Sequence, residues 1–367
     1  MRKKLLLLMF FLMHCMIYSL ELYDYTCFDG HKSSVSCISF SYDSKYLATG
    51  SFDTTIKIWD LKTNKLINTI IHGAIIESLA FSRDNKLLTS VGRDKCVKIW
   101  DIKNGNLKHV FGPLNDFVFS VIFSPDNKNI LIGSYKYIYF FDLKNNMIVN
   151  KLDIGNIWAR CIKFSPDNEY FGVCGGNEVI IYSVKNSNNL IKKLSGKNLD
   201  LKKMSSYKTS SYVYSFDFSC DSQYFSFGNE QGDIYLYRII DGLFMWNKNI
   251  YDSLIWSVSF SCDKTIAVSG KNKNIILLDT GTGNLINILH TDCDEIFSTL
   301  FSYDNKYIIS SGKDTKIRIW KSKKSSISFK KKYLYIIGAT LTIIIIFIIV
   351  IFYIFFNKKS SVKDWKL

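Results

Sequence analysis

The residues of this chain best equipped for chemistry are its five histidines and nine cysteines. Either type needs company: a nucleophile within reach of a base, or ligands spaced to close on a metal. His31, His72 and His290 fall in step with a longer repeat, His14 lies in an apolar leader and His109 in an expected outer strand. None stands beside a serine or cysteine that reads as a nucleophile, and no HExxH, GxSxG or P-loop pattern occurs. The cysteines are scattered singly without a CxxC pair, which excludes a zinc ribbon or a thioredoxin-type site. Cys220 and Cys262 sit at the same place in two adjacent FSCD segments and read as reduced thiols of shared repeat ancestry. Gly281-Thr282-Gly283 reads as a turn, and Gly312-Lys313 lacks a phosphate-cradling context. No catalytic residue, metal, cofactor or small-molecule substrate is therefore expected.

The formal charge of +15 points to nucleic acid until it is located. It resides in residues 1–20, 186–210, 321–332 and 357–367, which leaves the body of the chain near neutral. A phosphate-binding groove needs its charge on the folded domain, so no nucleic-acid partner is expected. Lysine clusters beside an anionic leaflet fit the distribution better.

The elements that must position these residues repeat. Phe-Ser recurs at Phe40, Phe81, Phe123, Phe164, Phe218, Phe260 and Phe301, each time followed by a turn containing Asp and then an apolar run. A further strand ends near Trp59, Trp100, Phe141, Tyr182, Tyr237, Leu278 and Trp320. A period of roughly 40–45 residues with several short strands per unit marks propeller blades. Seven copies predict an all-β, seven-bladed β-propeller over residues 20–321.

The pattern resembles the WD-repeat family. Gly30-His31, Thr49, Asp53 and Trp59-Asp60 carry the resemblance in the first repeat, His72, Ser90, Asp94 and Trp100-Asp101 in the second, and Ser310, Asp314 and Trp320 in the seventh, with His290 as a shifted partner. The resemblance implies a hydrogen-bonded chain in each such blade, from Trp to hydroxyl to imidazole to carboxylate, which satisfies buried polar groups. Repeats 3 to 6 keep mainly the apolar skeleton. Residues 20–28 fit an outer strand that completes the seventh blade, so that no edge stays open. The polar stretch 186–210 reads as a surface insert between blades 4 and 5.

Residues 333–356 carry no charge and, as a helix of roughly 36 Å, are long enough to span a bilayer. They predict one C-terminal transmembrane helix, with a basic linker at 322–332 before it and a short polar tail at 357–367 after it. Residues 1–19 resemble a secretory signal with a poor cleavage site. Three observations favour a cytosol-facing, endomembrane propeller over a type I topology: more lysines before the span than after it, no Asn-x-Ser/Thr sequon, and cysteines without an evident pairing.

Four residues before each Phe of Phe-Ser lies the entry to the innermost strand: Ser36, Glu77, Phe119, Arg160, Tyr214, Trp256 and Phe297. By family analogy this ring borders the central channel on a partner-binding face. Phe119, Arg160, Tyr214, Trp256 and Phe297, with Trp158 nearby, are residue types enriched at binding hot spots; the competing reading is packing between blades. The functional expectation is a membrane-tethered scaffold for protein partners, without catalysis. The architecture also resembles the endoplasmic-reticulum exchange factor for the COPII-coat small GTPase, although blade 1 lacks the long excursion on which that activity depends. A surface or lumenal receptor-like ectodomain is the reading if the leader works as a signal.

Overall fold

The computed structural model describes residues 25–184 and 202–321, and every regular element in them is a β-strand. The strands group into seven antiparallel sheets. The innermost strands pack against one another all the way round, blade 7 against blade 1 included. The described unit is a closed seven-bladed propeller.

The Phe-Ser-x-Asp turn explains why the blades recur. Ser41 donates its hydroxyl to Asp43, whose carboxylate accepts the Lys45 N–H, while the Ser41 oxygen accepts the Tyr46 N–H. The same Ser-to-Asp bond closes the turn in the other six blades. Next comes a residue in the left-handed region in every turn: Ser44, Asn85, Asn127, Asn168, Ser222, Lys264 and Asn305, with φ between 55° and 67°. Asn and Ser tolerate that conformation, which is why they dominate here.

These side chains also fasten each turn to its neighbour. Asn85, Asn127 and Asn305 accept the N–H of Tyr42, Arg83 and Cys262, while Ser222 and Ser44 accept those of Asp167 and Asp304. Two junctions differ. Pro125 has no N–H to give, and Asn168 turns instead to the Arg83 guanidinium at 2.5 Å. Lys264 carries no acceptor, and there the blades are joined by a disulfide between Cys220 and Cys262, with Cα atoms 5.1 Å apart. The expectation of reduced thiols at these two positions is thereby corrected: ring closure brings equivalent turns of adjacent blades side by side.

The apolar core lies between blades. Second strands such as Tyr46–Ser51 are buried on both faces, whereas outer strands such as Lys65–Ile71 are largely exposed. One cluster joins Phe28, Phe40, Leu47 and Trp59 to Ile309, Ile317 and Ile319 across the seam. There Tyr25–Phe28 pairs antiparallel with the last strand, Phe28 opposite Ile317 and Tyr25 opposite Trp320, so both chain segments share one sheet.

Two local features depart from the sequence reading. Lys202–Lys208, inside the expected insert 186–210, is the outer strand of blade 4. Its polar composition suffices because little more than Tyr207 must turn inward, against Phe225 and Tyr237 at 4.9 and 4.6 Å. Blade 3 merges its second and third strands into Asn129–Asp142, folded back at Lys136 with φ 65°. The Leu143 N–H to Lys128 carbonyl bond matches Leu61 to Lys45 in blade 1, which identifies the fold-back. The leader 1–19, residues 185–201, the linker 322–332, the expected span 333–356 and the tail 357–367 lie outside the described residues. Among the described residues no helix is long and apolar enough to cross a membrane.

Candidate functional site

The polar chains inside blades 1 and 2 are structural. In blade 1, Trp59 Nε1 donates to Thr49 Oγ1 at 3.0 Å, Thr49 meets His31 Nε2 at 2.8 Å, and His31 Nδ1 meets Asp53 at 2.9 Å. Asp53 also accepts the Lys32 N–H, the Thr55 N–H and the Thr55 hydroxyl. Burial opposes its charge, but the bonds from Thr55, Lys32 and His31 prevail and hold the carboxyl down to about 2. Burial lowers the His31 pKa despite that carboxylate, so the imidazole is neutral near pH 7.

Blade 2 repeats the chain through Trp100, Ser90, His72 and Asp94, with Lys98 bonded to Asp94 at 2.6 Å. In blade 7, Trp320 Nε1 lies 3.4 Å from Ser310 and Asp314 pairs with the buried Arg318. The shifted partner expected at His290 is not there. His290 is exposed on the outer strand of blade 6, bonded to Asn274 at 2.8 Å. Cys293 occupies the corresponding space. A Cβ added to Gly312 meets its Sγ at 2.6 Å, as one added to Gly92 meets His72 Nε2 at 2.8 Å.

The channel mouth has a different character. In six blades the innermost strand is bulged where it begins, between Val35 and Cys37, Ile76 and Ser78, Val118 and Ser120, Val213 and Ser215, Ile255 and Ser257, and Ile296 and Ser298. The residue left out of register is Ser36, Glu77, Phe119, Tyr214, Trp256 or Phe297. A bulge turns its extra side chain away from the pleat, and none of these six is fully buried. Arg160 takes the corresponding place in blade 4, its N–H bonded to the Cys174 carbonyl.

These side chains touch in sequence around the mouth. Trp158 packs on Phe119 at 5.1 Å, and the Arg160 guanidinium lies 4.5 Å from Phe119, 5.7 Å from Trp158 and 5.9 Å from Tyr214. Tyr214 then meets Trp256 at 4.8 Å, Trp256 meets Phe297 at 5.7 Å, and Phe297 meets Phe52 at 6.4 Å. Arg93 closes the run over Phe52 and pairs with Glu77. Burial pushes the Tyr214 hydroxyl pKa up, so it stays neutral. Gly175 enables the arrangement, since a Cβ there would overlap the Trp158 carbonyl.

A cavity of about 620 Å³ runs inward from this mouth. Arg160, Tyr214, Trp256 and Phe297 line it; Phe119 and Trp158 stand outside the lining and reach it through Arg160. Lys163 and Asp217 form an ion pair of 2.7 Å deeper in the wall. At the opposite mouth Tyr303 stacks on Tyr42 at 4.7 Å, Arg83 lies over Tyr42, and the Cys220–Cys262 bridge completes the rim. The sequence reading passed over Phe52, Arg93 and this second rim. The signal for the rim was the residue after each Ser of the turn, which holds Tyr42, Arg83, Cys220, Cys262 and Tyr303. Among the described residues no cluster of three or more His, Cys, Asp or Glu is placed to hold a metal.

Comparison with known proteins fits this geometry. The WD domain, G-beta repeat, matches residues 23–60, 64–101 and 283–321. Each match begins on the outer strand of one blade and ends on the third strand of the next, so the first and last interlock in blade 7. Similar curated proteins include the probable E3 ubiquitin ligase complex SCF subunit sconB of Arthroderma benhamiae, 53% identical over 45 residues, 12% of this chain and 6% of that protein. The WD repeat-containing protein 53 homolog of Dictyostelium discoideum is 50% identical over 44 residues, 12% of each chain. The ribosome biogenesis protein BOP1 homolog of Anopheles gambiae is 43% identical over 51 residues, 14% of this chain and 6% of that protein. The likeness is that of about one blade and covers only a small part of these relatives.

Proposed function

We propose that this chain is a non-catalytic WD-repeat platform that binds protein partners at the mouth formed by Phe119, Trp158, Arg160, Tyr214, Trp256 and Phe297. Residues 333–356 tether it to a membrane. The observation that carries the reading is the run of aromatic side chains, linked through Arg160, that rings the channel entrance and stays partly accessible there. Partly accessible aromatics and Arg are residue types that dominate binding energy in interfaces. One of the similar proteins is by name a subunit of a multi-protein complex, which agrees with a scaffold role. A photo-reactive phenylalanine at position 297, compared with one at Tyr303 on the opposite rim, tests it. Partner cross-links are expected at 297 and not at 303; equal yields at both would sink the assignment.

The Cys220–Cys262 bridge favours a second reading for the side of the membrane. A disulfide between two exposed cysteines belongs with an oxidising compartment. The cysteine argument for the cytosol therefore reverses, and the leader with a lumenal or extracellular, receptor-like propeller gains. Protease protection on isolated membranes decides: a protected propeller supports the second reading, a digested one the cytosolic scaffold. Exchange activity on the coat GTPase gains no support, because the Phe-Ser turn of blade 1 has the same bonding as its neighbours.

A further inference from the structure

Among the described residues, two hydrogen-bond donors in the mouth lack acceptors. Five arginines lie among the described residues, and the guanidinium groups of four of them bond to a side-chain acceptor: Arg83 to Asn168, Arg93 to Glu77, Arg238 to Asp241 and Arg318 to Asp314. Arg160 bonds only through its backbone N–H, to Cys174. Its guanidinium meets three aromatic faces and no carboxylate or carbonyl. The second donor is Trp256 Nε1, buried and without a partner. Both residues line the same cavity, with Tyr214 in contact with each.

The other cations of that cavity are accounted for. Lys163 is neutralised by Asp217 and Arg83 is held by Asn168 at the far rim. Glu77, the acidic member of the bulged ring, is taken by Arg93. Glu230 acts on Tyr214 through its charge but forms no bond to Arg160. At this mouth the wall thus offers one guanidinium with neither a carboxylate nor a hydrogen-bond acceptor, set among apolar rings.

We infer that the mouth takes an acidic peptide segment of a partner protein, in which an Asp or Glu stands beside an aromatic or aliphatic residue. This deepens the proposed partner-binding reading and rests on it. The carboxylate accepts from the planar Arg160 fork, while the apolar side chain packs on Tyr214, Trp256 and Phe297. A fork of guanidinium donors is matched by two carboxylate oxygens. Surrounding rings lower the local dielectric and strengthen the bond. At about 620 Å³ the cavity admits side chains of a short segment, within the ordinary range for peptide-sized or drug-sized ligands.

The test uses the full chain in detergent, applied to an array of heptapeptides that place Glu or Asp beside Phe, Leu or Ala. Gln, Asn and phosphoserine versions stand alongside. Glu and Asp peptides with an aromatic or Leu neighbour are expected to bind, and their Gln and Asn versions to bind more than about tenfold more weakly. Arg160→Met removes the charge but keeps length and apolar packing, and is expected to lose the same factor without a change in melting temperature; Arg160→Lys recovers part of it. Binding indifferent to the Glu-to-Gln change, binding unchanged in Arg160→Met, preference for phosphoserine, or no bound peptide would each overturn the inference. If Arg160→Met captures the protein partner normally while Trp256→Ala with Phe297→Ala does not, the face is right and the acidic segment is wrong.

Discussion

Asp53 is the hub of blade 1, and replacing it with Asn has a calculable cost. Its carboxylate receives the His31 ring at 2.9 Å, the Lys32 N–H at 2.8 Å, the Thr55 N–H at 2.9 Å and the Thr55 hydroxyl at 2.6 Å. The side chain is only 8% exposed, so solvent screens these bonds little. A carboxyl held to about 2 in the fold, against an ordinary value of 3.8, stabilises the folded state by about 2 kcal/mol at neutral pH. The sign follows from the depressed value: the contribution is complete above the unfolded pKa and fades as pH falls toward the folded one. About half of it remains at pH 3. The lowered pKa of His31 works in the same direction at higher pH, because a neutral buried imidazole resists protonation below its ordinary 6.5. Urea unfolding followed by tryptophan fluorescence at pH 7, 5 and 3 measures both. Asp53→Asn is expected to lose about 2 kcal/mol at pH 7 and at pH 5, and about half as much at pH 3. A variant as stable as the parent at pH 7, or a deficit independent of pH, would refute the hub.

Other consequences are read from single residues. Cys220→Ser opens a loop of 42 residues and is expected to cost roughly 4 kcal/mol under non-reducing conditions, and nothing when both proteins are reduced; parallel denaturant melts with and without reductant check this. Phe28→Ala removes the ring, 95% buried on a 5% exposure, that stacks on Trp59 at 4.8 Å across the seam. A loss of about 3–5 kcal/mol is expected in urea unfolding. Gly175→Ala forces a methyl into the Trp158 carbonyl, so melting temperature and partner binding are expected to fall together.

How far the sequence carries depends on how local each interaction is. The turn Ser-x-Asp closes on itself within a few residues, so Ser41 with Asp43 and its six counterparts announce every blade. The chain His31–Thr49–Asp53–Trp59 lies within one blade and its entry loop, and its spacing is equally visible. The outer strand of blade 4 escapes notice because one inward Tyr207 is a weak signal among lysines. Cys293 in the histidine's place, and the Cys220–Cys262 bridge, appear only when neighbouring blades are set side by side. The ring at Phe119, Tyr214, Trp256 and Phe297 shows in the sequence as a register, but the bulge that turns it toward the channel does not.

The central claim is that this mouth binds a partner and does not merely hold blades together. Trp256→Ala combined with Phe297→Ala tests it, read by partner capture and thermal melting on the same preparation. Capture abolished with a melting temperature shifted by no more than a few degrees is the predicted result. Capture retained, or capture lost only alongside a collapse in melting temperature, would contradict it.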